Sequence, residues 1–308
     1  MILILSNPQD AHARHITQLL QRRGRDVASL SRADFGHVAS LAFHPAASRG
    51  AITLGDGTRI VSEDVSAVWY RRPGRVRVNP VIRDELDRAF ADTEWTQALD
   101  SFFTVAFRRN ISPPLKQRAA TKPVQLALAV RAGFRVPDTL ITSDPDQAAA
   151  FAQKWCGAVV HKAMTAPPHR FLDTRVWNTD AARHLDDLAL CPTIFQERII
   201  GPADVRATIV GRQVFAACIE TVRGRAGVDS RLDHDAPCTP YELPRAVESA
   251  ILQLMDELGL VFGTVDLKLA NSGEHVFLEV NPQGQFLYIE ILTGLPISNA
   301  LAEFLSSD

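Results

Sequence analysis

Lysine is scarce in this chain. Only Lys116, Lys122, Lys154, Lys162 and Lys268 occur among 33 basic residues. Arginine carries the general surface charge, so a retained lysine is informative. Its compact, flexible ammonium suits phosphate contact as a point charge. Cysteine is scarce too. Cys156, Cys191, Cys218 and Cys238 form no Cys-x-x-Cys pair. A disulfide framework and a cysteine zinc site are excluded, and reduced thiols in a cytoplasmic protein are expected. The nine histidines include no His-Glu-x-x-His pattern; His12 and His15, one helical turn apart, read as exposed rather than metal-bound. No apolar run approaches the ~20 residues of a membrane span. Met1-Ile-Leu-Ile-Leu-Ser6 is too short for a signal-peptide core, and no membrane partner is expected. No Gly-x-Gly-x-x-Gly follows the first strand, which argues against a dinucleotide site there. A net charge of −2 argues against a large non-specific nucleic-acid surface.

What is present is most informative near the C-terminus. Gly263-Thr-Val-Asp266-Leu-Lys268-Leu269 alternates, with Val265, Leu267 and Leu269 on one face and Asp266 and Lys268 on the other. Val276-Phe-Leu-Glu279-Val-Asn281-Pro282 puts Val276, Leu278 and Val280 inward and Glu279 and Asn281 together opposite, because strand side chains repeat every two residues. Asn271-Ser-Gly273 has turn composition, so the two runs read as an antiparallel hairpin. Folded so, Asp266, Glu279 and Asn281 offer three hard oxygen ligands to one cation, and Mg²⁺ fits that chemistry. A half-buried hairpin with polar residues facing water has the same pattern.

The length, 308 residues, suits two or three domains. Residues 1–112 read as an α/β unit. Its parts are a strand at 2–5, a helix at 11–23, a strand at 27–30, a hairpin over 51–60 about Gly-Asp-Gly, a strand at 65–70 and a long helix over 81–107. Pro113-Pro114 marks a boundary. Residues 113–200 carry helices at 122–132 and 146–155 and strands at 139–142, 158–162, 171–177 and 193–199. Residues 201–308 carry strands at 205–210 and 213–221, a helix at 245–258 stopped by Gly259, and the hairpin above.

Phe-Leu-Glu-Val-Asn-Pro282 after Asp266 resembles the magnesium-binding end of the ATP-grasp ligases. Gln283-Gly-Gln285-Phe-Leu-Tyr-Ile-Glu290-Ile-Leu-Thr-Gly-Leu-Pro296-Ile is similar to the branch that matures ribosomally made peptides, the graspetide (microviridin-type) macrocyclases. Val68-Trp-Tyr-Arg71-Arg-Pro73, Lys122-Pro-Val-Gln-Leu-Ala, Phe195-Gln-Glu197-Arg-Ile and Asp204-Val-Arg206-Ala-Thr-Ile-Val-Gly211 match in chain order. The resemblance implies a three-part fold of the α/β and α+β class: an N-terminal α/β domain (1–112), a central lid (113–200) and a C-terminal antiparallel-sheet domain (201–308).

It also implies ATP and Mg²⁺ as cofactors, with Asp266, Glu279 and Asn281 on the metal. It places Lys122, Lys162 and Lys268 toward phosphates, and Gln196, Glu197 and Ile199 at the adenine edge. Asp204 would face the nucleotide, and Arg206 and Lys162 would act on the transferring phosphate or the substrate carboxylate. The activity implied is ADP-forming activation of an Asp or Glu side chain in a precursor peptide, followed by ring closure onto Ser, Thr or Lys. The implied partners are the leader and core of that peptide and a second copy of the chain.

Each residue also has a plainer reading. Lys162 could be a strand-edge lysine with its head in water, Lys122 a helix-start residue, and Asp204 with Arg206 an exposed ion pair of little worth. Arg71 and Arg72 read best as solvating a strand end. The rivals are another ATP-grasp ligase, joining an amino acid to a small acid or protein C-terminus, and a non-catalytic binding protein. The stretch Met164-Thr-Ala-Pro-Pro-His-Arg170 has no glycine and departs from the family's small-residue lid loop.

Overall fold

The structure, a computed structural model, describes residues 1–165, 174–221 and 236–307. Ile2–Ser6 is buried at every position, as a central parallel strand covered on both faces must be. It lies between Val27–Leu30 and Ala67–Arg72, both parallel to it, and Asn110–Ile111 extends the sheet. The helix Ala11–Arg22 makes the first crossover. Asp10 caps it by accepting from the Ala13 N–H, and Ala13, Ile16 and Leu20 form its buried stripe.

The expected 51–60 hairpin is present as Arg49–Thr53 against Arg59–Val61. A strand not expected from the sequence, Ser40–His44, adds to its other edge. The long helix spans Glu85–Val105, with Asp84 capping Leu86 and Asp87.

The central antiparallel sheet runs in the order Arg175–Val176, Val159–Lys162, Thr193–Glu197, Thr139–Thr142. Ala148 and Phe151 from the helix Pro145–Lys154 cover it, packing with Val159, Leu188 and Phe195. Of the strand expected over 171–177, residues 171–173 lie outside the described residues, as do residues 166–170 of the glycine-free stretch.

Five antiparallel strands follow, in the order Cys238–Pro240, Gln213–Glu220, Ala203–Val210, Phe262–Leu269, His275–Asn281. Ile251, Leu254, Met255 and Leu258 of the helix Arg245–Leu258 pack on one face with Val205, Ala207, Ile209, Val265 and Leu267. Gly259 ends that helix at φ +66°, a left-handed cap that suits glycine. The helix Lys122–Arg131 also packs here, through Leu126 and Ala129, although a division at 112 and 200 groups it with the central strands. Another core joins the two ends of the chain, with Ile2, Ile4, Ile16, Leu20 and Trp69 against Phe262, Phe286, Ile289, Leu301 and Leu305.

The C-terminal hairpin forms with one difference from the expected alternation. Asp266 faces Glu279, but Leu267 faces Phe277. The extra residue is a bulge, which switches the faces beyond it. Phe277 and Val280 therefore share the core, while Leu278, expected inward, is only half-buried.

Where the central part joins the C-terminal sheet, the chain passes Gly201 against another backbone. A Cβ on Gly201 would stand 1.8 Å from the Leu269 carbonyl oxygen. Gly201→Ala should therefore destabilise the protein by about 2 kcal/mol or more through overpacking. Denaturant unfolding measures this, and an unchanged midpoint would show that the crossing opens without cost.

Candidate active site

Register places the polar residues. Asp204 pairs with Lys268, Arg206 with Asp266, Asp266 with Glu279, and Thr264 with Asn281. Their neighbours Val205, Ala207, Val265 and Val280 belong to the core on the other side of the sheet. The same alternation that buries the apolar set gathers the polar set on the opposite face.

The Asn281 amide donates to Asp266 at 3.0 Å and to Glu279 at 3.2 Å. Two carboxylates and a carboxamide thus meet within hydrogen-bond range, and this hard-oxygen set fits Mg²⁺. Arg206 donates to Asp266 Oδ1 at 2.6 Å and to the Gln285 carbonyl at 3.2 Å, with its guanidinium carbon 5.8 Å from the Tyr288 ring. Burial opposes its charge, but Asp266, Tyr288 and Glu279 outweigh that, and its pKa is raised. Its buried Nε has no hydrogen-bond partner among the described residues.

Lys122 sits 3.5 Å from Glu279 Oε2 and donates to the Ala163 carbonyl at 3.3 Å. It therefore ties the metal-type cluster to the end of the central strand whose last residue is Lys162. Lys268 is buried, 2.9 Å from Asp204 and 3.2 Å from the Thr221 hydroxyl. The pair read as Asp204 with Arg206 is thus Asp204 with Lys268, because register sets Arg206 opposite Asp266 instead.

The profile of the MvdD pre-ATP grasp domain matches residues 1–110. Macrocyclase MdnC of Microcystis aeruginosa MRC, solved with precursor peptide MdnA, is 26% identical over 100% of this chain and 99% of its own, with a TM-score of 0.85. A RiPP-associated ATP-grasp ligase of Chryseobacterium gregarium, solved with ADP and a leader and core peptide, is 28% identical over 99% of this chain and 96% of its own, also at 0.85. Macrocyclase MdnB of Microcystis aeruginosa MRC is 27% identical, covering 100% and 99%, at 0.82. Over its whole length the chain is thus similar to ATP-grasp ligases, and among them to macrocyclases. No curated protein matches its sequence.

Gln196 and Glu197 lie on Thr193–Glu197, an inner strand of the central sheet, and Ile199 follows its end. Gln196 is buried and donates to Thr139 Oγ1 at 3.0 Å. The Glu197 carboxylate accepts from Arg135 at 2.8 Å and from the Asp138 N–H at 3.2 Å, so it is already engaged by protein groups.

The structure also brings to this region residues that the sequence pattern did not single out as functional. Arg71 is fully buried rather than solvating a strand end. It donates to the carbonyls of Gln283 and Gly284, the latter at 2.8 Å, and its Nε lies 3.6 Å from Asp10. The Trp-Tyr-Arg-Arg motif was the available signal. His12 is half-buried rather than exposed. Its Nε2 accepts from the N–H groups of Phe286 at 3.1 Å and Leu287 at 3.3 Å, where the helix Leu287–Thr293 starts. His15 is exposed as expected.

Burial, with Arg71 next, lowers the His12 pKa from 6.5 to about 4. The folded state thus prefers neutral imidazole, which matches Nε2 as an acceptor. Between these values the unfolded chain binds more protons, so this contribution is complete above pH 6.5 and is lost as pH falls toward 4. Unfolding titrations at pH 7 and pH 4 should show His12→Gln losing less stability over that range than the parent. Equal losses in the two proteins would refute the assignment.

Proposed function

We propose that the chain is an ATP-dependent ligase that activates Asp or Glu side chains of a ribosomal precursor peptide and closes ester or amide rings onto Ser, Thr or Lys. The observation that carries this is the meeting of Asp266, Glu279, Asn281 and Arg206 on one sheet face. It occurs in a chain whose macrocyclase neighbours align over nearly its whole length. A carboxylate is a poor electrophile. Its oxygen attacks the terminal phosphorus of ATP, ADP leaves, and the acyl phosphate is then attacked by a hydroxyl or amine. Phosphate leaves, and the nucleophile gives up its proton.

In this reading Asp266, Glu279 and Asn281 hold Mg²⁺, which neutralises phosphate charge when bound. Arg206 acts as an anion-binding guanidinium beside them, and Lys122 and Lys162 face phosphates at the end of the central strand. Asp204 and Lys268, locked as a pair, support the nucleotide side. With Glu197 held by Arg135, reading of the adenine edge falls to the backbone between Gln196 and Ile199. We further take the acting unit to be a homodimer that binds both leader and core; light scattering of the purified chain tests the dimer.

Glu279→Gln and Asn281→Ala should fold normally yet lose ATP turnover by roughly 10²-fold or more, since each removes an oxygen donor. Melting with and without Mg-ATP separates folding from binding, and full turnover in both variants would overturn the metal assignment.

Incubation with the precursor peptide, Mg²⁺ and ATP should yield ADP and phosphate, and each ring should lower the peptide mass by one water. Mass spectrometry and nucleotide chromatography read the two halves. A gain of a second substrate's mass would mark an intermolecular ligase, and AMP release would contradict activation by the terminal phosphate.

A further inference from the structure

A cavity of about 810 Å³ opens between the first sheet and the loop that follows Asn281. Arg32, Arg72 and Arg118 line it, and Asn281 forms part of its wall. Behind the wall Arg118 lies 2.7 Å and Arg32 3.5 Å from the carboxylate of Asp100, whose side chain is 1% exposed. The Tyr70 hydroxyl donates to the same carboxylate at 3.1 Å. Asp10, also on the wall, faces the buried Arg71. Four arginines thus stand against two aspartates. The chain as a whole has more acidic than basic residues, so this surplus of positive charge is local rather than general.

One buried carboxylate needs one guanidinium; a second, with Arg72 beside it, exceeds the structural requirement. Arg118 is half-exposed despite its ion pair. A guanidinium has five N–H donors, and Asp100 cannot occupy all those of two arginines. Field lines concentrate in such a cleft and draw in anions. Because Asn281 belongs both to this wall and to the metal-type cluster, an anion held here borders the site of phosphoryl transfer.

We propose that this cavity is the subsite for acidic side chains of the substrate peptide, with Arg118 and Arg72 pairing with their carboxylates next to Asn281. The assignment rests on the ligase reading given above and adds the place where that enzyme recognises its acids.

The test uses the full chain without nucleotide. The probes are a fluorescein-labelled peptide of alternating Thr and Glu and its Thr-Gln counterpart, read by anisotropy. The Glu peptide should bind about tenfold tighter or better, as charge-assisted hydrogen bonds give. Arg72→Gln and Arg118→Gln should each weaken it by about tenfold, while Arg118→Lys should keep part of the affinity. Arg183→Gln, on an exposed helix of the central part, should change nothing. Equal affinity for both peptides, no loss in the two variants, or an equal loss in Arg183→Gln would overturn the subsite. If Arg118→Gln fails to fold, as melting would reveal, Arg72→Gln decides alone, since Arg72 is exposed and its side-chain hydrogen bond among the described residues, to the Gln283 carbonyl, is long at 3.5 Å. Mg-ATP melting is run in parallel. A nucleotide response without Glu selectivity sinks the subsite and leaves the ligase reading standing. Glu selectivity without that response supports the cavity as an acidic-peptide site and sinks the ligase reading.

Discussion

A buried guanidinium holds the two ends of this enzyme in register. Arg71, at the end of the first sheet, has no exposed surface and would cost several kcal/mol if unpaired. Asp10, the carbonyls of Gln283 and Gly284 and the ring of Trp69 compensate it. Burial lowers its pKa to about 10, so it remains charged at neutral pH. Its acceptors belong to the loop that begins at Asn281 and also supplies the Gln285 carbonyl to Arg206. The same loop is pinned sterically, since a Cβ on Gly284 would lie 1.9 Å from Thr264 Oγ1. The metal-type cluster is thus positioned from both sides, by its own sheet and by the first one.

Within that frame the five-stranded sheet divides labour by alternation. Val205, Ala207, Val265 and Leu267 are wholly buried and supply the hydrophobic contribution that anchors the strands. Asp204, Arg206, Asp266 and Lys268 on the other face form two cross-strand ion pairs. Each loses solvation, and each recovers it through contacts at 2.6 Å and 2.9 Å with further hydrogen bonds to Gln285 and Thr221. Such pairs contribute geometry more than stability.

Much of this was legible in the chain because it is local. The helix 245–258 matched its observed ends, since its spacing, length and terminal glycine agree. The strand 139–142 did likewise. Asp266, Glu279 and Asn281 could be grouped because a two-residue period and a short turn fix their relation. What stayed hidden depends on distant partners. The bulge that turns Phe277 inward leaves no trace in composition. Arg71 looked like a solvated strand end because its acceptors lie more than 200 residues away, and His12 looked exposed because its donors are more remote still. The packing of the helix Lys122–Arg131 against the C-terminal strands was hidden for the same reason: an apolar stripe does not name the surface that it covers.

The core shared by the two ends of the chain has a consequence for biosynthesis. Ile2, Ile4 and Trp69 leave the ribosome early, whereas Leu301 and Leu305 leave some 230 residues after Trp69, roughly ten to fifty seconds at ordinary translation rates. Until then the first sheet has one face without its cover, and the loop bearing Asn281 has nothing behind it. Assembly of the reactive cluster is therefore a late event in the life of the nascent chain. A polypeptide interrupted before its last helix carries an exposed apolar surface, the kind that holdase chaperones and proteases recognise.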